Sequence, residues 1–300
     1  MSGGTPPGGE TSLTIGVLAE LAGVSVKTVR FYSDQGLLPE AARSAGGHRR
    51  YGGPALARLR ELRGLRALGL SLAGAAEVAR GELPLAEALA GQRRELARQL
   101  AELRWREAAL TALAGAPDQL LVLGEALREQ PSQDAFAAFW HRILPLRLPA
   151  RLKGAIVDAA VPELPTDPTP AQALAYARLR GLALDRGYAA AVRGPQPDDC
   201  PGLEQVYRDT GEAYELALAQ LDRPAPGAPT EALGAFVAAY ARAERRTDSA
   251  GYRRELAGRP SAHDLLARYW SLAGQLHPRP TMGAAHDWIS AALRAEVGAP

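Results

Sequence analysis

LTIGVLAELAGVSVKTVRFYSDQGLLPEAARSAGGHRRYG, residues 13 to 52, decides the reading of the chain, because two helical patterns meet there across one glycine and run into a basic, glycine-rich hairpin. Ile15, Leu18, Ala19 and Ala22 recur on one helical face. Gly23 permits the sharp turn that swings a second helix across the first. Ser25 stands where it can cap that second helix, whose core positions Val26 and Val29 leave Lys27, Thr28, Arg30 and Tyr32 outside as donors. Gly36 ends it, and Leu37 and Leu38 return to the core. A helix with donors along its exposed face fits the major groove of a duplex while holding the flanking phosphates. Arg43, His48, Arg49 and Tyr51 then read as a wing lying beside it.

The spacing of Thr14, Ile15, Ala19, Gly23, Val24, Ser25, Thr28, Val29, Arg30, Phe31, Tyr32, Gly36, Leu37 and Leu38, followed by Gly47, His48, Arg49 and Tyr51, resembles the MerR family of transcription regulators. The resemblance is strong over residues 13 to 80, weakens through the following helix and says little after residue 117. It implies a winged helix-turn-helix reader of double-stranded promoter DNA and a homodimer. It also implies regulation by distortion of the promoter, which engages RNA polymerase indirectly. The residues expected at the DNA are Thr14, Lys27, Thr28, Arg30, Tyr32, Arg43, His48, Arg49 and Tyr51, with Arg30, Arg49 and Tyr51 on phosphates and Lys27 and Thr28 on bases.

Charge is distributed as that reading requires. Residues 1 to 80 carry net +4, residues 81 to 117 are balanced, and residues 118 to 300 carry net −2. Phosphate neutralisation is thereby confined to the N-terminal part. After the wing, Pro54 opens a helix with Leu56, Leu59, Leu62, Leu65 and Leu68 in an apolar stripe and Arg58, Arg60, Arg63 and Arg66 between them; these four fit either a solvated face or backbone phosphates. Gly69 breaks it and Ser71 caps the next, from Leu72 to Ala79, a pair similar to the family's second wing.

Pro84 opens a long helix to about Leu113, where Leu89, Leu96, Leu103 and Leu110 repeat at seven and Leu100 widens the seam. Such a stripe serves a partner helix or the chain's own C-terminal part. The resemblance implies the former, an antiparallel coil across a dimer, so Leu89, Leu96, Leu100, Leu103 and Leu110 are the expected dimerisation residues.

From Asp118 onward, six to eight helical segments are expected between proline-rich joints, with no alternating run to suggest strands. The fold class is therefore all-α dominated. It comprises a disordered tail over 1 to 12, the winged helix-turn-helix domain over 13 to 80, a dimerisation helix over 81 to 117, and a helical effector domain over 118 to 300. PAQALAYARLRGLA from Pro170 and PSAHDLLARYWSLA from Pro260 echo each other ninety residues apart, which suggests two related halves with a cleft between them.

The effector class follows by exclusion. Residues 81 to 125 hold neither Cys nor His, against the metal-sensing branch of the family, and the one cysteine, Cys200, excludes an iron–sulfur cluster. The cobalamin-binding D-x-H-x-x-G is absent, and no strands suggest a mixed α/β drug sensor. A helical sensor more like that of the thiopeptide-binding members remains, with Trp140, Tyr240, Tyr269, Trp270 and Trp288 as the expected lining for an apolar, aromatic small molecule; each of these also fits a plain core position. His277, His286 and Asp287 make only an incomplete metal site. No metal, no cofactor and no catalytic residues are expected, since no hydrolase, nucleotide-binding or metalloprotease motif occurs. The single cysteine, the lack of an apolar run of 18 residues and an N-terminus unlike a signal peptide suggest the cytoplasm and no membrane. The alternative function is an architectural DNA-binding dimer whose C-terminal domain recruits a protein.

Overall fold

In the computed structural model, which describes residues 12–194, 202–223, 226–259 and 262–298, the stretch that opened the analysis folds as two capped helices. Thr14 caps α1 (Ile15–Ala22) by accepting from the Val17 amide. Ser25 caps α2 (Val26–Asp34) by accepting from the Thr28 amide at 3.0 Å. Between them Gly23 sits at φ +63°, where a side chain would be strained. A two-stranded antiparallel wing follows, β1 (Glu40–Arg43) and β2 (Arg49–Tyr51), and Leu13 bridges to Tyr51 along its other edge. Next come α3 (Gly53–Ala67), with proline in its first turn, and α4 (Leu72–Arg80), capped by Ser71. Leu18, Val29, Tyr51, Leu59, Leu62 and Ala75 are the fully enclosed centre of this core. Val26, in the first turn of α2, is exposed instead of in the core.

The chain divides into two units, Met1–Gln99 and Leu100–Pro300, and the division falls inside one helix, α5 (Leu85–Gly115). In the first unit Ala88 and Leu89 pack on the core of the wing and helices. In the second, Trp105, Ala108 and Ala109 enter a separate core. Leu96, Leu100, Leu103 and Leu110 meet neither, and Leu103 and Leu110 are 58% and 68% exposed. Leu89 thus differs from its heptad partners: it is half-buried against its own unit.

Ten α-helices follow a single 3₁₀ turn among the described residues of the second unit, more than the proline joints announced. They are α6 (Leu120–Ala126), α7 (Asp134–Ile143), α8 (Ala150–Ala160), α9 (Pro170–Leu184), α10 (Arg186–Arg193), α11 (Leu203–Leu221), α12 (Thr230–Ala243), α13 (Ala250–Ala257), α14 (Ala262–Leu276) and α15 (Met282–Val297). One extra break has a clear cause. Asp185 ends α9 and its carboxylate accepts from the Gly187 and Tyr188 amides to start α10, so a capping residue breaks the run with no proline present. Two hydrophobic cores result. The first joins the end of α5 with α6 to α10 and α14; the second joins α11, α12, α13 and α15. The echo segments do not head two separate halves. They are α9 and α14, which lie together in the first core, where Gln172 donates to the Leu276 carbonyl at 3.2 Å.

The expected tail over 1 to 12 falls, apart from residue 12, outside the described residues, as does Cys200. Among the described residues no helix is long and apolar enough to cross a membrane.

Candidate nucleic-acid interface

Buried carbonyls and charges need partners, and the distribution of arginines in the first unit follows from that requirement. Arg60 donates to the Leu21 carbonyl at 3.2 Å and Arg63 to the Ala22 carbonyl at 2.6 Å, so α3 satisfies the open C-terminus of α1. A Cβ at Gly23 would come within 2.7 Å of the Arg63 guanidinium, which gives this glycine a second reason to be there. Arg66 bonds the Leu70 carbonyl, and Arg58 pairs with Glu61. The α3 arginines are therefore engaged within the domain and do not form an open cationic face.

The wing is fastened to the end of α2 by a polar cluster. Tyr51, 0% exposed, donates its hydroxyl to Ser33 Oγ at 2.9 Å. Arg49 reaches Ser33 at 3.1 Å and Asp34 at 2.5 Å, and its Nε meets Glu40 at 2.7 Å. These carboxylates, Asp34 first through its hydrogen bond, raise the Arg49 pKa above its ordinary value. Tyr51 is accordingly corrected from a phosphate contact to a core residue, since no part of it meets solvent. Arg49 is committed to two carboxylates and holds the wing in register.

The side chains that remain outward are fewer and better defined. Lys27 and Arg30 stand exposed on α2 with no ion pair, and Phe31 lies beside them with its ring 5.8 Å from that of Tyr32. Lys27, Thr28, Phe31, Tyr32, Arg66 and Leu72 line one open concavity that runs from α2 onto α3 and α4. The Thr28 hydroxyl lies 2.8 Å from Ser25 Oγ, so part of its hydrogen-bonding capacity serves the cap. Thr14 likewise caps α1. Tyr32 is half-buried on the core. His48 is exposed at the wing tip, where Ser44 organises the turn, and Arg43 is exposed with Glu40 3.5 Å away.

Sequence reasoning missed Arg50. It sits opposite Ala42 in the wing, between Arg49 and Tyr51, and makes no ion pair. The period of two in a strand carried the signal: if Tyr51 turns inward, Arg50 turns the other way.

The second unit distributes its expected ligand residues over two places. Trp140, Tyr269 and Trp270 join Phe139 in the first core, with Trp140 5.3 Å from Trp270 between ring centroids. Tyr269 donates to the Ala160 carbonyl at 3.2 Å, and burial pushes its phenol pKa up. Tyr240 and Trp288 pack on the second core. The five therefore line no common site. Trp140, Tyr269 and Trp270 are core residues by burial, because aromatic faces from α7 and α14 close on one another.

Between these places lie His263, Tyr207 and Tyr214, which the sequence did not single out, together with His286 and Asp287, which it read as part of an incomplete metal site. His263 and His286 stack with centroids 3.9 Å apart; His263 Nε2 meets Asp287 at 2.9 Å and the Tyr214 hydroxyl meets His286 Nδ1 at 2.9 Å. Burial holds both imidazoles below their ordinary pKa, His286 at about 4, so both are neutral at pH 7. Burial also raises the Tyr207, Tyr214 and Tyr240 phenols, Tyr207 to about 12. His277 pairs with Glu163 at 3.2 Å, away from His286 and Asp287, and among the described residues no three His, Cys, Asp or Glu are grouped to hold a metal.

A capped helix-turn-helix with a two-stranded wing, an exposed Lys and Arg on its second helix and a core of its own defines a winged helix-turn-helix DNA-binding domain. The family model described as MerR family regulatory protein matches residues 14–51, so the winged helix-turn-helix domain is similar to that of MerR regulators. It is 48% identical to a mercuric resistance operon regulatory protein of Serratia marcescens over 69 residues, 23% of this chain and 48% of that protein. It is 47% identical to the nodulation protein NolA of Bradyrhizobium elkanii over 58 residues, 19% of this chain and 26% of that protein. The HTH-type transcriptional activator TipA of Streptomyces coelicolor is 36% identical over 110 residues, 37% of this chain and 41% of TipA. The chain spans about half the length, or less, of these curated relatives.

Proposed function

We propose that the chain is a ligand-responsive transcription regulator that binds promoter DNA as a homodimer and acts through binding, with no catalytic step. One observation carries the DNA half of this reading. On a surface where Arg49, Arg60, Arg63 and Arg66 are all engaged within the domain, Lys27 and Arg30 stand free on the recognition helix. A folded domain has no internal use for them, and phosphates supply the missing partner. Arg50 and His48 extend the same contact from the wing, and Thr28 and Phe31 meet the bases.

The dimer is supported by the leucine stripe of α5, which is left uncovered from Leu96 to Leu110 while both ends of the helix are packed. Two-fold symmetry of the protein would match a palindromic operator. Distorting that operator costs a few kcal/mol, which contacts made only in the activated state must supply, and polymerase then engages the reshaped promoter. The relative TipA is by its name a transcriptional activator, and activation through a small aromatic effector held by the second unit is the form we favour.

The test is selection of duplexes from a randomised pool by the full chain, followed by footprinting and sedimentation. The reading expects a palindromic consensus bound by a dimer, with Lys27→Ala and Arg30→Ala variants losing most retention. Indifference to sequence, with binding by monomers, would contradict it.

A further inference from the structure

A row of rings crosses the second unit from one hydrophobic core to the other. Trp140 meets Trp270 at 5.3 Å, Trp270 stacks with His263 at 6.3 Å, His263 with His286 at 3.9 Å, His286 meets Phe236 edge-on at 5.8 Å, and Phe236 meets Tyr240 at 5.1 Å. The row is built from α7, α12, α14 and α15, and Tyr214 of α11 closes it by its bond to His286. Its middle members are half-buried and border accessible space, unlike the enclosed rings of the first core.

The polar groups along this row have one character. The Trp270 indole nitrogen is buried, in a residue 7% exposed, and bonds nothing. The Tyr207 and Tyr240 hydroxyls make no hydrogen bond either, although Tyr207, Tyr214 and Tyr240 lie close enough to influence one another. Two O–H groups thus stand without protein acceptors on half-buried side chains beside flat ring faces, whereas the Trp270 N–H is shut in by its neighbours. A hydroxyl left to water can exchange it for an acceptor on a ligand. Asp264 and Asp287 lie exposed beside the imidazoles, Asp287 being held by His263, Glu244 near Tyr240 is paired with Arg259, and the two imidazoles carry no charge at neutral pH.

We infer that the seam between the two cores, lined by Tyr207, Tyr240, His263 and His286 with Trp270 closed behind them, is a binding site for an uncharged planar aromatic molecule that carries hydrogen-bond acceptors such as carbonyl or ring-nitrogen groups. This rests on the proposal that the second unit senses a small molecule and names its site and its recognition chemistry. The rings supply stacking faces, and the two free hydroxyls supply direction. Gly283 lets Trp270 lie against α15, because a Cβ there would fall 2.2 Å from the indole.

The test uses the full chain and Nile red, an uncharged planar dye with a carbonyl acceptor, followed by dye emission and intrinsic tryptophan quenching. Saturable binding of one dye per chain is expected, and the double variant Tyr207→Phe, Tyr240→Phe should weaken it at least tenfold while the melting temperature is retained. A Trp288→Phe variant should bind as the parent does. Absence of saturable binding, or equal affinity in the double variant, overturns the site. Duplex retention measured on the same samples separates this from the regulatory reading. Retention of DNA with dye binding indifferent to the hydroxyls removes only the site, whereas hydroxyl-dependent dye binding without DNA retention supports the site and removes the regulator.

Discussion

The two units solve the same problem, what to do with polar groups at the end of a helix, in opposite ways. In the first, a small domain with few helices, polar contacts are spent on fixing one geometry: Arg63 and Arg60 close α1, and Tyr51, Ser33, Arg49, Asp34 and Glu40 lock the wing to α2. In the second, ion pairs such as Arg253 with Asp248 and Glu296, or Arg259 with Glu244 and Glu255, join neighbouring elements, while the Tyr207 and Tyr240 hydroxyls and the Trp270 indole lack protein partners along an inner seam. A reader must hold its donors in a rigid register. In the proposed sensor, such groups are left for a ligand to complete.

That contrast is sharpest if the wing lock is broken. Tyr51→Ala removes a fully enclosed aromatic and one of the two hydrogen bonds to Ser33, and should destabilise the first unit by about 3–5 kcal/mol, read by chemical denaturation. The mirror experiment, Leu103→Glu, places a charge on a side chain already exposed in the single chain, so the melting of the monomer should hardly change. In the proposed dimer the same charge is buried without a partner at a cost of several kcal/mol, and sedimentation should show monomers. A dimer that survives would put the interface elsewhere.

Why the first unit was readable and the second was not follows from sequence distance. Thr14, Gly23, Ser25 and the outward set on α2 lie within twenty residues of one another, so helix period, cap and turn glycine carry the geometry. What escaped there was the fate of individual arginines, since whether Arg49 or Arg50 faces outward depends on strand alternation and on carboxylates that arrive from α2 and β1. In the second unit the decisive pairs are far apart in sequence, Tyr214 with His286, Gln172 with Leu276 and Tyr269 with Ala160. No local pattern announces them. Tryptophans drew attention because they are rare, yet those of the first core are enclosed, and the half-buried His263 and Tyr207 looked ordinary. The break at Asp185 was missed for a related reason: a cap can end one helix and begin another without proline.

A smaller effect separates the units by pH. His286 is held neutral down to about 4 by burial, whereas in the unfolded chain it titrates at its ordinary 6.5, so between those values the unfolded state binds the extra proton. Stability of the second unit should therefore be full above about pH 6.5 and fall as the pH drops toward 4, by roughly 2–3 kcal/mol in all. His286→Phe should flatten that slope, and melting of the two units followed by hydrogen exchange would show whether the loss is confined to residues 100–300. Equal loss in both units would mean that other groups dominate.

The smallest change in energy, and the most direct test of the central claim, is the salt dependence of duplex binding measured side by side for the parent, Arg30→Ala, Arg50→Ala and Arg49→Ala. If α2 and the outward face of the wing meet the phosphates, the slope of log K against log salt should shrink by about one for Arg30→Ala and for Arg50→Ala. Arg49→Ala should lower stability and affinity while leaving the slope near that of the parent. A slope unchanged by Arg30→Ala and Arg50→Ala, with the loss falling on Arg49→Ala, would contradict the account.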